Sequence, residues 1–155
     1  MLTDQGVVTA RDVIDATHMP LVSEGKFFAK AYPYAHALVA ARIDPARAPD
    51  GMFISTEQPT HSVRTGRWGD EVWLVAAGGS FKPGESEEAE ATLKELGDFA
   101  RTEFGIDSID YQWTNEDYQS MDGMPFVGRA SSSAKHLYIA TGFNAWGITT
   151  ALRPG

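Results

Sequence analysis

The sequence predicts an α+β fold: a largely antiparallel, mixed β-sheet with one long amphipathic helix over about residues 86–104. Three observations predict it. Short β-prone stretches recur along the chain, each closed by proline, glycine or an Asp-Gly pair. One segment alone shifts to helical periodicity, with Ala89, Leu93, Leu96, Ala100 and Phe104 spaced to fall on one stripe. And 43% hydrophobic with 22% charged residues in a chain of 155 is an ordinary balance for a single globular domain spanning 1–155.

Taken in order, Val7 to Thr9 and Val13 to Thr17 read as short strands, the second closed by Met19-Pro20 because a residue before proline avoids helical geometry. His36 to Ile43 is a longer strand. After the loop marked by Pro45, Pro49 and Asp50-Gly51, three strands follow as an antiparallel meander: Met52 to Thr56, His61 to Thr65 and Val72 to Ala77. Gly78 to Gly84 reads as a tight turn rather than a phosphate-cradling loop, since no Gly-Lys-Ser/Thr ends it. Ser86 is placed to cap the helix, Glu87 and Glu88 to face its positive dipole end, and Gly105 to end it in a left-handed conformation. Ile106 to Trp113 reads as a strand, Asp122-Gly123 as a turn, and Leu137 to Ala140 as a buried strand running into Thr141-Gly142.

Charge narrows the function. Thirteen basic against 21 acidic residues give a net charge of −8, which repels nucleic acid and anionic membrane surfaces, so neither is an expected partner. No apolar run nears the ~20 residues that span a bilayer. Cysteine is absent, which excludes disulfides and thiolate metal sites and fits a cytoplasmic setting. The histidines His18, His36, His61 and His136 are scattered, with no pair at a metal-ligating spacing, and no metal site is expected.

Two segments carry chemistry. Asp107, Asp110, Glu116, Asp117 and Asp122 lie among Trp113 and Tyr118, a mixture of carboxylates and aromatics that could cage a cationic amine or simply sit in solvent. In Leu137 to Thr149, a buried strand breaks at Gly142 with a second glycine at Gly147. That pattern brings backbone close to a ligand and aims the free amides of a following helix at an electron-rich oxygen.

Asp122-Gly123-Met124-Pro125-Phe126-Val127-Gly128, followed by Ala140 to Gly147, resembles the closing motif of the D-amino-acid oxidase and glycine oxidase superfamily of FAD-dependent oxidoreductases. Ala16-Thr17-His18-Met19-Pro20 resembles the place where those chains leave the FAD domain. Trp73 to Gly79 resembles their substrate-domain strand and glycine turn. The similarity runs from about residue 7 to 150, with 1–18 and 137–155 resembling pieces of the FAD-domain boundary. It implies the fold of the substrate domain, FAD as cofactor, and flavin contacts at Gly142, Phe143, Asn144, Trp146, Gly147, Ile148 and Thr149. The amides at the helix start would there stabilise charge on the reduced flavin. The substrate-binding candidates in this sequence are Trp113, Asp117, Tyr118 and Arg64.

This sequence departs from the pattern in three places. The Gly-x-Gly-x-x-Gly motif that holds the pyrophosphate is missing, so FAD is expected to be held weakly by this chain alone. The chain reads Ala151-Leu152-Arg153-Pro154-Gly155 where a further glycine and an apolar helix are expected. Asp117 stands where these oxidases place the arginine that grips a substrate carboxylate, which favours a ligand with positive character. The segment around Asp117 is more similar to superfamily members with an added Rieske domain, although no cysteine here supplies such a cluster.

Two functional expectations follow. The first is the substrate-domain part of an amine or amino-acid oxidoreductase, inactive alone and completed by an FAD-domain chain; the cofactor does the redox chemistry, so no catalytic residue is nominated. The second is a free-standing module that binds a small molecule or self-associates as a homo-oligomer through exposed Val13, Ile14, Phe143 and Trp146, without redox activity. An orphaned fragment with no selected role is a third reading, against which the local agreement of turns, caps and periods counts.

Overall fold

The computed structural model describes residues 1–152. In chain order the elements are β1 (Leu2–Thr3), β2 (Gly6–Val7), β3 (Val13–Asp15), β4 (Ala31–Arg42), β5 (Met52–Ile54), β6 (His61–Trp68), β7 (Glu71–Phe81), α1 (Ser86–Phe104), β8 (Tyr111–Ser120), β9 (Phe126–Arg129), β10 (Leu137–Thr141) and α2 (Gly147–Ala151), with a kinked 3-10 turn at Glu24–Ala29. They fall into two compact units, Tyr34–Glu116 and Met1–Pro33 together with the described residues from Asp117 onward. Arg153, Pro154 and Gly155, where the family helix was expected to continue, lie outside the described residues.

In the unit Tyr34–Glu116, the strands are ordered β5-β6-β7-β4-β8, and β5/β6, β6/β7 and β7/β4 pair antiparallel. Strand alternation puts one face of each strand inward. Ala76 pairs with Val63 on one side and Val39 on the other, and Leu74 with Thr65 and Ala41. Val39, Ala41, Val63, Leu74 and Ala76 are buried in one cluster with Leu96 and Ala100 of α1. Burying a leucine of this kind contributes roughly 1.5–3 kcal/mol. The helix occupies the expected residues, and Gly105 ends it at φ 60°, its amide donating to the Arg101 carbonyl at 2.9 Å.

Four local expectations are corrected. The helix cap position belongs to Glu85, which makes no side-chain cap bond, and Ser86 is already helical. Strand β7 runs through Gly78 and Gly79 to Phe81 instead of turning there. Gly79, at φ 64°, is accommodated as a bulge between the Ala35 and Ala37 pairings, and its carbonyl meets His36 Nδ1. The turn follows, with the Glu85 amide donating to the Lys82 carbonyl. Strand β8 covers Tyr111–Ser120 rather than 106–113. Ile106 turns into the core, and the polar run from Thr114 to Gln119 forms strand because pairing within a sheet overrides weak β-propensity. The strand read at Val7 to Thr9 is the second arm of the β1/β2 hairpin.

The other unit contains that hairpin and a small mixed sheet ordered β3-β10-β9, with β3 parallel and β9 antiparallel to β10. Phe27, Ala130 and Ile139 form its buried cluster, with the Phe27 and Phe126 rings 5.3 Å apart. Asp122-Gly123 is a turn as expected. Gly123 sits at φ 76°, its amide donates to the Ser120 carbonyl, and Asp122 Oδ1 accepts from Met124. The α+β class and the largely antiparallel character are as the sequence predicts.

Candidate functional site

Strand β10 ends at Thr141, and Gly142 breaks it at φ 73°. A Cβ on Gly142 would meet the Phe126 ring and Ser120 only at ordinary van der Waals distance, so the requirement for glycine is conformational rather than steric. Asn144 and Ala145 continue in the left-handed region at φ 51° and 62°, and His18 sits there at φ 72°. Non-glycine residues are uncommon in this region and their clustering marks functional sites. The turn is held by the Asn144 amide donating to the Tyr118 carbonyl at 3.1 Å and the Trp146 amide to Phe143 at 2.9 Å.

Helix α2 follows at once. Its first backward bond runs from the Thr150 amide to the Trp146 carbonyl, so the amides of Gly147, Ile148 and Thr149 have no acceptor within the helix.

Opposite the turn, buried Asp15 on β3 organises the residues that follow it. Its carboxylate accepts from the Thr17 hydroxyl at 2.6 Å and from the Leu21 and Val22 amides at 2.8 and 3.3 Å. Burial alone would raise its pKa, but these bonds outweigh burial and hold the carboxyl below the usual carboxylate range. His18 lies inside this loop. Its carbonyl accepts from the Thr141 hydroxyl, and its ring stands edge-on to Tyr118 at 5.0 Å.

These segments enclose a cavity of about 240 Å³ lined by His18, Asp117, Tyr118, Gly142, Phe143, Ala145, Gly147 and Ile148. Small-molecule sites usually occupy ~300–1,000 Å³, so this one suits part of a ligand, such as the edge of a ring, rather than a whole dinucleotide. Asp117 is half-buried there without an ion pair to another described residue. Below Gly142, Ser120 is buried. A strained backbone turn, free amides, an aromatic wall and one carboxylate fit the electron-rich edge of a planar ring and, beside it, a cation.

Of the expected flavin contacts, the cavity gathers Gly142, Phe143, Gly147 and Ile148; Asn144 serves the turn, while Trp146 and Thr149 are exposed away from the lining. Of the expected substrate residues it gathers Asp117 and Tyr118. Trp113 and Arg64 belong to the other unit, both exposed, with Arg64 on β6 between Met52 and Val75. Of the other carboxylates between Asp107 and Asp122, Asp110 pairs with Arg42 at 2.7 Å and Asp122 accepts from the Met124 amide in its own turn. Among the described residues no group of three or more His, Asp or Glu is placed to hold a metal. No described helix is long and apolar enough to cross a membrane.

Sequence reasoning does not find His18 and Ala145, which line the cavity. No metal-ligating spacing marks His18, although it stands within one of the segments that carry the family resemblance.

Comparison with known proteins bears on the family and the fold. The chain is similar to the Bacillus subtilis (strain 168) protein YhfW, whose name places it among Rieske 2Fe-2S iron-sulfur proteins, at 28% identity over 144 residues. That match covers 93% of this chain and 28% of the relative. The fold is similar to glycine oxidase from Geobacillus kaustophilus, with 17% identity, a TM-score of 0.62, and 92% of this chain and 38% of that one covered. It is also similar to iminodiacetate oxidase from Chelativorans sp. BNC1, with 14% identity, a TM-score of 0.63, and coverage of 94% and 41%. The chain thus spans well under half the length of each. A family model described as FAD dependent oxidoreductase matches residues 2–153. The chain therefore belongs to the FAD dependent oxidoreductase family.

Proposed function

We propose that this chain is the substrate-side part of a FAD-dependent oxidoreductase acting on amines or amino acids, and that the cavity between the Asp15-organised loop and the Gly142–Thr149 turn is where cofactor and substrate meet. The observation that carries this reading is the presence of Asp117 in the same cavity as the Gly142 to Ile148 turn. Bound FAD would supply the acceptor for the electrons of a C–N bond. The chain's own residues would do the positioning. The amides of Gly147, Ile148 and Thr149 would face an electron-rich ring edge, Phe143 and Tyr118 would exclude water, and the Asp117 carboxylate would hold an ammonium group. The names of the two structural neighbours, oxidases of glycine and of iminodiacetate, support a small nitrogen-bearing substrate. We assign the rest of the cofactor's binding surface to residues outside this chain, so that redox turnover requires them.

The test is the visible absorption spectrum after incubation with FAD and gel filtration. A retained flavin band that shifts on adding a simple amine, with the shift lost in Asp117→Ala, is the expected result. A band that responds equally to amines in both proteins removes Asp117 from the reading.

A second reading, a module that binds a small molecule or self-associates without redox chemistry, is favoured by the exposure of Val13, Ile14 and Trp146. Phe143, expected on the same face, is half-buried and lines the cavity instead. A protein that stays colourless after FAD treatment, yet becomes monomeric on Trp146→Ser, selects this second reading.

A further inference from the structure

A carboxylate beside aromatic rings, as Asp117 stands with Tyr118 and Phe143, attracts a quaternary ammonium through charge and cation–π contact, and it also attracts an ammonium that carries N–H groups. A hydrogen-bond acceptor on the same cavity wall separates the two, because only the N–H-bearing cation can use it. His18 lines the cavity with Asp117, and an imidazole in its neutral form carries one acceptor nitrogen.

The backbone at His18 is tied on both sides. Buried Asp15 accepts from the Thr17 amide and hydroxyl at 3.3 and 2.6 Å, and from the Leu21 and Val22 amides at 2.8 and 3.3 Å. The His18 carbonyl accepts from the Thr141 hydroxyl. Between these ties His18 is held at φ 72°, where side chains are uncommon and glycine fits at no steric cost. The turn by itself would therefore be served by glycine. His18 is exposed, so its ring adds little to the core; what it supplies is a polar edge on the cavity wall. That edge is oriented by Tyr118, whose ring meets the imidazole at 5.0 Å and which follows Asp117 in the chain.

We propose that His18 is the specificity-determining residue of this cavity: its imidazole accepts one N–H of the ammonium group that Asp117 holds, so that ligands bearing N–H are selected over quaternary ones. This role rests on Asp117 as the ammonium anchor proposed above, and adds to it the residue that discriminates among cations. A hydrogen bond to a charged group at an exposed position is worth about ten-fold in affinity.

Methylammonium and tetramethylammonium chloride are the probes, titrated into the chain while the amide signals of Gly142 and Phe143 are followed by NMR. The ratio of the two affinities cancels whatever Asp117 contributes to both proteins being compared. His18→Gly, which accepts φ 72° without strain, should lower the wild-type preference for methylammonium by about ten-fold and leave tetramethylammonium binding as it was. His18→Phe keeps an aromatic edge against Tyr118, removes both nitrogens and should do the same, so a loop loosened by glycine does not decide the result. His18→Asn tolerates the left-handed conformation and keeps an acceptor oxygen, and should recover part of the preference. An unchanged preference in both His18→Gly and His18→Phe overturns the proposal. Asp117→Asn should weaken both cations. If it weakens them while the His18 variants keep the wild-type preference, only the role of His18 falls; if it weakens neither, the anchor itself is lost and the role of His18 with it.

Discussion

In the unit Tyr34–Glu116 one cluster gathers thirteen buried apolar residues, from Ala35 to Ile106, whereas the cluster in the unit carrying the cavity gathers Phe27, Ala130 and Ile139. The first keeps its order by burial of alternating strand residues beneath α1. The second relies on polar bonds: Asp15 to Thr17, Leu21 and Val22, Thr141 to His18, and Asn144 to Tyr118. The difference teaches where each property resides. Apolar area carries stability, while the strained, hydrogen-bonded segment carries the proposed ligand geometry and draws on the less stable end of the molecule.

The largest expected effect tests the first half of that contrast. Leu96→Ala removes a fully buried side chain from α1 and should cost about 3 kcal/mol in urea unfolding. Ile139→Ala in the smaller cluster should cost nearer about 2 kcal/mol, because a thin core can relax around the space it leaves. Equal costs would break the contrast.

The second half is sharpened by pH. An unfolded aspartate ionises near ~3.9, and Asp15 is held below the usual range in the folded chain. A depressed folded pKa contributes stability above the unfolded value, and that stability is lost as pH falls through the folded one. Asp98 and Asp110 in the other unit are also lowered, chiefly by hydrogen bonds from Lys94 and Arg42, but they are solvated and count for less. Below about pH 4, hydrogen exchange at Ile139 to Thr141 should therefore quicken before exchange in α1 does. Asp15→Asn should weaken the cavity unit at neutral pH and flatten this acid response. Unchanged exchange in that variant would show that the loop is held by something other than Asp15.

The same contrast explains what was legible in the sequence. Helix α1 was readable to its last residue because an apolar period and a left-handed glycine are local signals. Gly142 and Gly147 were readable because a buried strand that stops at glycine is local too. The strand over Thr114 to Gln119 was not, since only pairing with distant residues makes so polar a run extended. The bulge at Gly79 was hidden for the same reason, its extra residue being defined by Ala35 and Ala37 on another strand. His18 reached the cavity through Asp15 and Thr141, contacts that span up to 123 positions and leave no periodic trace. The unit boundaries near Pro33 and Asp117 fall inside β4 and β8, so no linker-like composition marks them.

A smaller effect is expected at the turn itself. Gly142→Ala meets no steric overlap, so its cost is that of a Cβ in the left-handed region, about 1 kcal/mol. Retention of FAD through gel filtration should fall by more than this stability loss accounts for if the strain lands, as proposed, on backbone that faces the ring. Loss of stability with undiminished flavin retention would place the ligand elsewhere in the cavity.

The smallest stability change is expected at the residue with the most specific proposed role. Asp117 is half-buried and has no ion pair to another described residue, so Asp117→Asn should alter the unfolding free energy by no more than about 0.5 kcal/mol. The variant keeps the shape of the side chain and removes its charge, so a loss of amine response measured by difference spectra would report electrostatics rather than packing. Replacing the amine by a neutral ligand of the same shape should then abolish the difference between wild type and variant. A stabilising effect of Asp117→Asn, together with a preserved amine response, would mean that the carboxylate is a cost to the thin unit with no ligand to offset it, and the division of labour between the two units would fail at its most specific point.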